Sequence, residues 1–490
     1  DISDLLIDYK GAVSGEHGDG LTRSWLNQKM FGDDVYGLFK KVKSAFDPKG
    51  LMNPEKIIST KHPRPLLRAP QSKPNFHPQT MYNFDKEGGL HFAVEMCNGN
   101  AECKNPKGQM CPSFQAYGDE QHSTRARAQS LQAVLNGPLG TDGFDNKALY
   151  DVLDLCLECK ACKSECPSQV DMAKMKSEFL YHYQEKNGYS LRTKLFGNVD
   201  KMNKLNSKMP AFSNFVQQTW LMKKILKGIG ITDQRHLPTL AKKRFSEQFK
   251  EQQGVKQVIL FNDTFSEFNT PEIALAAVKV MHHLNYEVLL APYHCCGRPL
   301  ISKGMLKEAK EKATKLINLL QNFPKDLAIV GLEPSCLFTL KDEYPDLIAS
   351  EDAKDIANRC KTIDQFLAEE IEAGNLSFEQ NKQELNLHGH CHQKALETNV
   401  NTMKVLKALS SEVNEINTTC CGMTGSFGYE EEHYDFSMAI GEKRLFPAIR
   451  NCSQESEVIA NGTSCRCQIE QGTQRHAKHI IQLVAEQLKT

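Results

Sequence analysis

The sequence predicts a multidomain chain: a helical segment built around two cysteine groups, a duplicated α/β unit after it, and a short piece of an α+β unit before it. Three observations carry this. At roughly 150 residues per domain, 490 residues allow about three cores. The 17 cysteines fall in tight groups at two-residue, three-residue and adjacent spacings, often beside Pro or Gly. A strand and helix pattern carrying an adjacent Cys pair occurs twice within residues 251–490.

Composition narrows the class. Charged residues make up 24% and hydrophobic ones 40%, which is globular usage and excludes a disordered or fibrous chain. Lys and Arg number 60 against 60 Asp and Glu, so the polyelectrolyte attraction behind nucleic-acid binding has little to act on. No run of 18 apolar residues and no signal-peptide pattern is visible. The reading is a soluble, cytoplasmic protein, with peripheral contact on the inner face of a membrane as the alternative, and self-association is left open. Clustered cysteines indicate metal clusters in a reducing compartment rather than a secreted disulfide framework. The chain begins at Asp1, so it reads as a fragment, a processed piece or a subunit.

Residues 1–58 hold a Gly-rich turn (GAVSGEHGDG) and a helix-like run ending at FDPKGLMNPEKI, too little to close a core alone. Residues 59–85 carry Pro63, Pro65, Pro70, Pro74 and Pro78 and read as an extended linker. Residues 86–185 contain seven cysteines with a helical stretch, TRARAQSLQAVLNG, between the two groups. Residues 186–250 are Lys-rich and helical, including the basic amphipathic WLMKKILKGIGI. Packing on neighbours is the main reading of that helix, and membrane-surface contact the second. Residues 251–375 and 376–490 form the two repeats. Their Cys-Cys-Gly triplets, at Cys295 and Cys420, lie 125 positions apart, and Cys336 and Cys465 lie 129 apart. The strands are read in QVILFND, YEVLLAPYH and LAIVGLEPS, then in ELNLHGH and SEVIANGTS, with functional loops at the strand ends.

Cys156, Cys159, Cys162 and Cys166-Pro167 read C-x2-C-x2-C-x3-C-P. In that spacing one loop wraps three thiolates round an iron–sulfur cluster while the fourth Cys reaches a second cluster. Cys97, Cys103 and Cys111-Pro112 supply the partner group with its middle cysteine absent. By the crossing rule Cys111 joins Cys156, Cys159 and Cys162 at a 4Fe-4S cluster, leaving Cys97, Cys103 and Cys166 for the other. Three thiolates suit either a 3Fe-4S cluster or a 4Fe-4S cluster with a non-cysteine ligand. The segment resembles the α-helical ferredoxin domain of the iron–sulfur subunits of succinate dehydrogenase and of the electron-transfer subunits of anaerobic glycerol-3-phosphate dehydrogenase, a likeness that tilts the second site toward 3Fe-4S. Arg125 and Arg127 follow, read first as a solvated helix face and second as stabilisers of reduced-cluster charge.

In the second repeat Cys391, Cys420, Cys421 and Cys465 make a four-thiolate set, with Cys467 nearby. This resembles the cysteine-rich CCG domain of heterodisulfide reductase and of glycolate or lactate oxidase iron–sulfur subunits, which implies a 4Fe-4S cluster. The first repeat retains Cys295, Cys296 and Cys336, but Asp263 or Thr264 stands where Cys391 would be. It reads as a degenerate half, or as a partly ligated or acceptor-docking site. Cys360 and Cys452 match no motif and read as buried thiols. His388, His390 and His392 flank Cys391, where they suit packing or hydrogen bonding to cluster sulfur.

SGEHGDG read with FDPKGLMNPEKI resembles the carboxy-terminal edge of FAD-linked oxidases of the vanillyl-alcohol-oxidase type. The resemblance implies His17 as the base for a hydroxyl proton, Glu16 as ligand to a divalent metal, and Asn53 as a cofactor-binding position. The order of the three pieces resembles bacterial FAD and iron–sulfur fusion D-2-hydroxy-acid dehydrogenases. It implies FAD bound mainly by a missing oxidase part, D-2-hydroxyglutarate favoured over D-lactate, and clusters feeding a quinone or redox-protein acceptor. No GxGxxG follows a predicted strand, in keeping with a non-nicotinamide acceptor. The rivals are an electron-transfer subunit without substrate chemistry and a thiol-disulfide enzyme, the latter weakened by the incomplete first repeat.

Overall fold

A computed structural model describes residues 2–62, 76–136 and 143–488. It divides into two compact units, one ending at Asn75 and one running from Phe76. Most of the predicted linker, residues 63–75, lies outside the described residues.

The first unit is helical. Its longest helix, Asn27–Phe46, kinks at Gly32, whose φ of 75° suits a residue without Cβ. Asp47 ends it. The Asp47 carboxylate accepts from the Leu51 and Met52 amides at 2.9 Å each and pairs with Lys43, which folds FDPKGLM into a tight cap.

The second unit opens on a helical core. Glu178, buried in the helix Met172–Asn187, accepts from the Met81 and Tyr82 amides, so residues 76–85 dock on this core. The helix Thr124–Asn136 packs Ala128, Leu131, Val134 and Leu135 inward at helical spacing. Four short helices follow between Leu191 and Gly228, of which Pro210–Gln218 and Trp220–Gly228 bury no residue.

Residues 256–478 form two parallel four-stranded sheets of identical order. The first, β2-β1-β3-β4, comprises β1 (Lys256–Leu260), β2 (Tyr286–Leu290), β3 (Ile329–Gly331) and β4 (Cys360–Thr362). The second, β6-β5-β7-β8, comprises β5 (Leu385–Leu387), β6 (Val413–Glu415), β7 (Glu457–Ile459) and β8 (Ala477–Lys478). Each repeat is therefore a β-α-β arrangement, and its central strand, β1 or β5, carries a buried apolar run or pair. One core runs through both repeats, joining Val258, Leu260 and Val330 to Leu385, Leu387 and Ile459. Three strands fall outside the sequence reading: β4, β6 and β8. Cys360 lies on β4 as a buried thiol.

Ion pairs lock the helical core to the repeats. Lys160 is buried, 2.5 Å from Asp342 and 2.9 Å from Glu343, and Arg298 bridges Glu158 at 2.9 Å and Glu343. Removing one member of such a network leaves an uncompensated buried charge, at about 3–5 kcal/mol. His433 makes a second tie, 2.8 Å from Asp154 and 3.2 Å from Glu430. Burial alone would lower its pKa, but the two carboxylates push it up to about 9. A pKa raised on folding gives stability that is complete below the ordinary value of 6.5 and lost as pH climbs through about 9. We expect the wild-type protein to lose about 3 kcal/mol across that window. Thermal unfolding should show this fall, and the variant His433→Gln should start lower and lose the pH dependence.

Candidate redox centres

The loop between the helices Lys147–Asp154 and Ala161–Glu165 leads through Cys156 and Cys159 to Cys162 in the second of them. Positive φ at Glu158 (51°) and Lys160 (61°) turns the backbone so that these side chains point one way. Cys111 N-caps the helix Pro112–Tyr117, and all four thiols line one small pocket with Arg127. That is the set the crossing rule requires. The Glu165 carboxylate accepts from the Gln109 and Met110 amides, tying the Cys111 loop to the helix that ends at Cys166. Cys97, Cys103 and Cys166 lie in the same helical core, and the Arg125 amide sits 3.4 Å from Cys103 Sγ.

Arg127 is fully buried. Its Nη1 donates to Cys111 Sγ at 3.1 Å, its Nη2 to Ser113 Oγ at 3.0 Å and its Nε to the Val152 carbonyl at 3.2 Å. Burial raises the Cys111 thiol pKa, but the guanidinium, the Ser113 hydroxyl and the Phe114 amide together outweigh it and hold the group below its ordinary value. Lys176 Nζ donates to the Cys156 carbonyl at 2.7 Å. Two buried cations thus face one thiol set, and the solvated-face reading fails for Arg127. A sequence signal exists, since Arg127 shares the stripe of Leu131, Val134 and Leu135. Arg125 does lie partly in solvent, paired with Glu120.

These donors fit an iron–sulfur cluster, whose potential follows the hydrogen bonds and charge around its sulfurs. A charge-assisted hydrogen bond contributes about 1.5–3 kcal/mol, and about 60 mV corresponds to 1.4 kcal/mol for one electron. Arg127→Gln is expected to lower that cluster's midpoint by on the order of 50–100 mV, read by EPR-monitored redox titration with cluster content unchanged.

In the repeats every motif cysteine stands just past the carboxyl end of a parallel strand. Cys391 opens the helix after β5, Cys420 and Cys421 follow β6, and Cys465 lies in the helix after β7. Their first-repeat counterparts follow β1, β2 and β3. His390 N-caps the helix at Cys391, as Asp263 N-caps the helix that Thr264 opens, so Thr264 is the counterpart of Cys391. Its hydroxyl lies 3.2 Å from Tyr293 Oη, and the fourth thiol is replaced by a hydroxyl pair. Burial and the nearby Glu333 push Asp263 up to about 6.

Seven motif thiols, three from the first repeat and four from the second, line one cavity of about 180 Å³ walled by Phe196, Val199 and Tyr429. Cys421 and His388 hold Cys465 well below the ordinary thiol range. His388 Nδ1 is 2.8 Å from Thr418 Oγ1, while its buried Nε2 has no hydrogen-bond partner. Gly462 is required here: a Cβ would lie 2.4 Å from His390 and 3.4 Å from Cys465 Sγ. Cys467 also lines this cavity, and Cys452 lies apart from it, half-buried.

The two thiol systems adjoin. Cys159, Cys391 and Cys420 line a common cavity of about 210 Å³ with Lys394, and His392 Nε2 is 2.9 Å from the Glu158 carbonyl. Leu157 packs in the same cluster as Cys420, Cys421 and Cys465.

In the first unit Glu16 and His17 share a 2.9 Å contact and face solvent, and Asn53 is also exposed. They form no enclosed site among the described residues.

Residues 1–57 match the family of FAD linked oxidases, C-terminal domain, residues 93–170 the 4Fe-4S dicluster domain, and residues 263–341 and 385–470 the cysteine-rich domain. The chain is 26% identical, over 99% of its length, to D-2-hydroxyglutarate dehydrogenase of Pseudomonas putida, covering 52% of that protein. It is 24% identical to the Escherichia coli protein of the same name, over 100% of the chain and 53% of that protein. One subunit of the anaerobic glycerol-3-phosphate dehydrogenase of Escherichia coli is 26% identical over 61% of the chain and 78% of its own length. The chain thus spans about half the length of the first relatives it matches. Over its whole length the chain is thus similar to D-2-hydroxyglutarate dehydrogenases, with the oxidase, dicluster and cysteine-rich matches following one another in that order.

Proposed function

We propose that this chain is the electron-carrying part of an FAD-dependent dehydrogenase that oxidises a D-2-hydroxy acid, D-2-hydroxyglutarate before D-lactate. Electrons would pass to an acceptor other than a nicotinamide. The observation that carries the reading is the cavity that Cys159 of the C-x2-C-x2-C-x3-C-P group shares with Cys391 and Cys420 of the second repeat.

FAD supplies two-electron oxidation and iron–sulfur clusters supply one-electron steps. The chain's own residues then have separate tasks. Cys111, Cys156, Cys159 and Cys162 would hold one 4Fe-4S cluster, Cys391, Cys420, Cys421 and Cys465 another, and Cys97, Cys103 and Cys166 the remaining one. Arg127 and Lys176 offset the negative charge of the first set. His17 would take the substrate hydroxyl proton while Glu16 helps bind a divalent metal, in a site completed by the remaining oxidase part. The first repeat, with Thr264 for its fourth thiol, serves as a wall of the cavity.

The full-length protein tests this. Under anaerobic mixing, D-2-hydroxyglutarate is expected to bleach the flavin and then reduce the clusters, faster than D-lactate. Flavin that ignores both acids, with clusters that still accept electrons from a reductant, favours an electron-transfer subunit instead.

A further inference from the structure

We propose that the helices Pro210–Gln218 and Trp220–Gly228 dock the protein on an anionic phospholipid surface. Neither helix buries a residue. Met209, Phe212, Phe215, Trp220, Leu221 and Ile225 are each more than half exposed, Trp220 by 74%. They are not scattered. At 100° per residue Phe212 and Phe215 share one face of the first helix, and Trp220, Leu221 and Ile225 share one face of the second. Large apolar side chains grouped this way mark a docking surface.

Charge selects the occupant. Residues 191–228 contain eight Lys or Arg and one acid, Asp200, in a chain whose net charge is zero. Asp200 is buried and paired with Lys312. Lys201, Lys204, Lys208, Lys223 and Lys224 take part in no ion pair among the described residues. A basic rim around an apolar face fits a negatively charged bilayer surface. No helix among the described residues is long and apolar enough to cross a membrane, so the face lies on the bilayer. The same stretch walls the seven-thiol cavity with Phe196 and Val199. Docking would therefore bring that cavity to the lipid side.

Trp220 reports on it directly, because the chain has only one other tryptophan, Trp25. In the full-length protein carrying Trp25→Phe, together with any further tryptophans outside this chain replaced, phosphatidylglycerol-rich vesicles should blue-shift the fluorescence and co-sediment the protein. Phosphatidylcholine vesicles should do neither, and 0.5 M salt should cut binding roughly tenfold. Phe212→Ser with Phe215→Ser, or glutamine at Lys201, Lys204, Lys223 and Lys224, should each reduce binding roughly tenfold while dye-linked dehydrogenase activity stays unchanged. Absent or lipid-indifferent binding overturns the proposal. So does an oligomer that dissociates in the Phe variant without any vesicle binding, which would assign the face to a second copy.

Discussion

Cys159→Ser in the full-length protein is expected to uncouple substrate oxidation from acceptor reduction. Cys159 stands in the four-thiol pocket with Cys111, Cys156 and Cys162 and also in the cavity with Cys391 and Cys420. It is the one cysteine common to both. Burial and then the neighbouring Cys420 push its thiol pKa well up, and a serine hydroxyl, far harder to ionise than a thiol, is a poor ligand in its place. The variant should lose about four irons of about eleven or twelve, and acceptor reduction should fall to background. The hydroxy acid should still bleach the flavin at the wild-type rate, because the proposed substrate residues lie in the other unit. Retained acceptor reduction would remove Cys159 from the electron path.

The opposite pattern is expected for His17→Ala. A positioned general base contributes about 10²–10⁴ in rate, so flavin bleaching by the hydroxy acid should slow by that factor. Cluster reduction by an external reductant should be normal, since His17 lies in the first unit and the thiol sets in the second. Glu16→Gln should act through metal affinity and be partly recovered at high divalent metal. Normal bleaching in His17→Ala would remove it as the base. The two variants together separate the half-reactions.

Spacing carried most of the candidate site. C-x2-C-x2-C-x3-C-P demanded a crossing partner, and Cys111 lines the pocket of Cys156, Cys159 and Cys162. The repeat offset likewise paired Cys295 and Cys296 with Cys420 and Cys421, and the two sheets share one strand order. Strands β4, β6 and β8 are illegible for a local reason. They are two or three residues long, and β6 carries exposed Asn414 and Glu415, so neither alternation nor an apolar run marks them. Arg127 escapes a reading of its own helix because a charged residue on a helix is usually solvated. Partners brought in from other segments, Cys111 and Ser113 on one side of the sequence and the Val152 carbonyl on the other, compensate its burial.

Contacts between remote segments are not legible in the sequence at all. Lys160 with Asp342, Arg298 with Glu158 and His433 with Asp154 join segments that share no motif. Those pairs bring the loop of Cys156 and Cys159 against the repeats. The exposure of Phe215 and Trp220 is equally hidden, since their helical spacing suits a packed face as well as a free one.

The central claim is that three thiol sets hold clusters on one path. Iron and acid-labile sulfide analysis with EPR of the anaerobically purified protein tests it most directly. The predicted result is about twelve sulfides with either about twelve irons and three signals on reduction, or, if Cys97, Cys103 and Cys166 hold 3Fe-4S, about eleven irons, a three-iron signal in the oxidised protein and two signals on reduction. About eight irons would leave the repeats as a scaffold, and little iron with stoichiometric zinc would contradict the account.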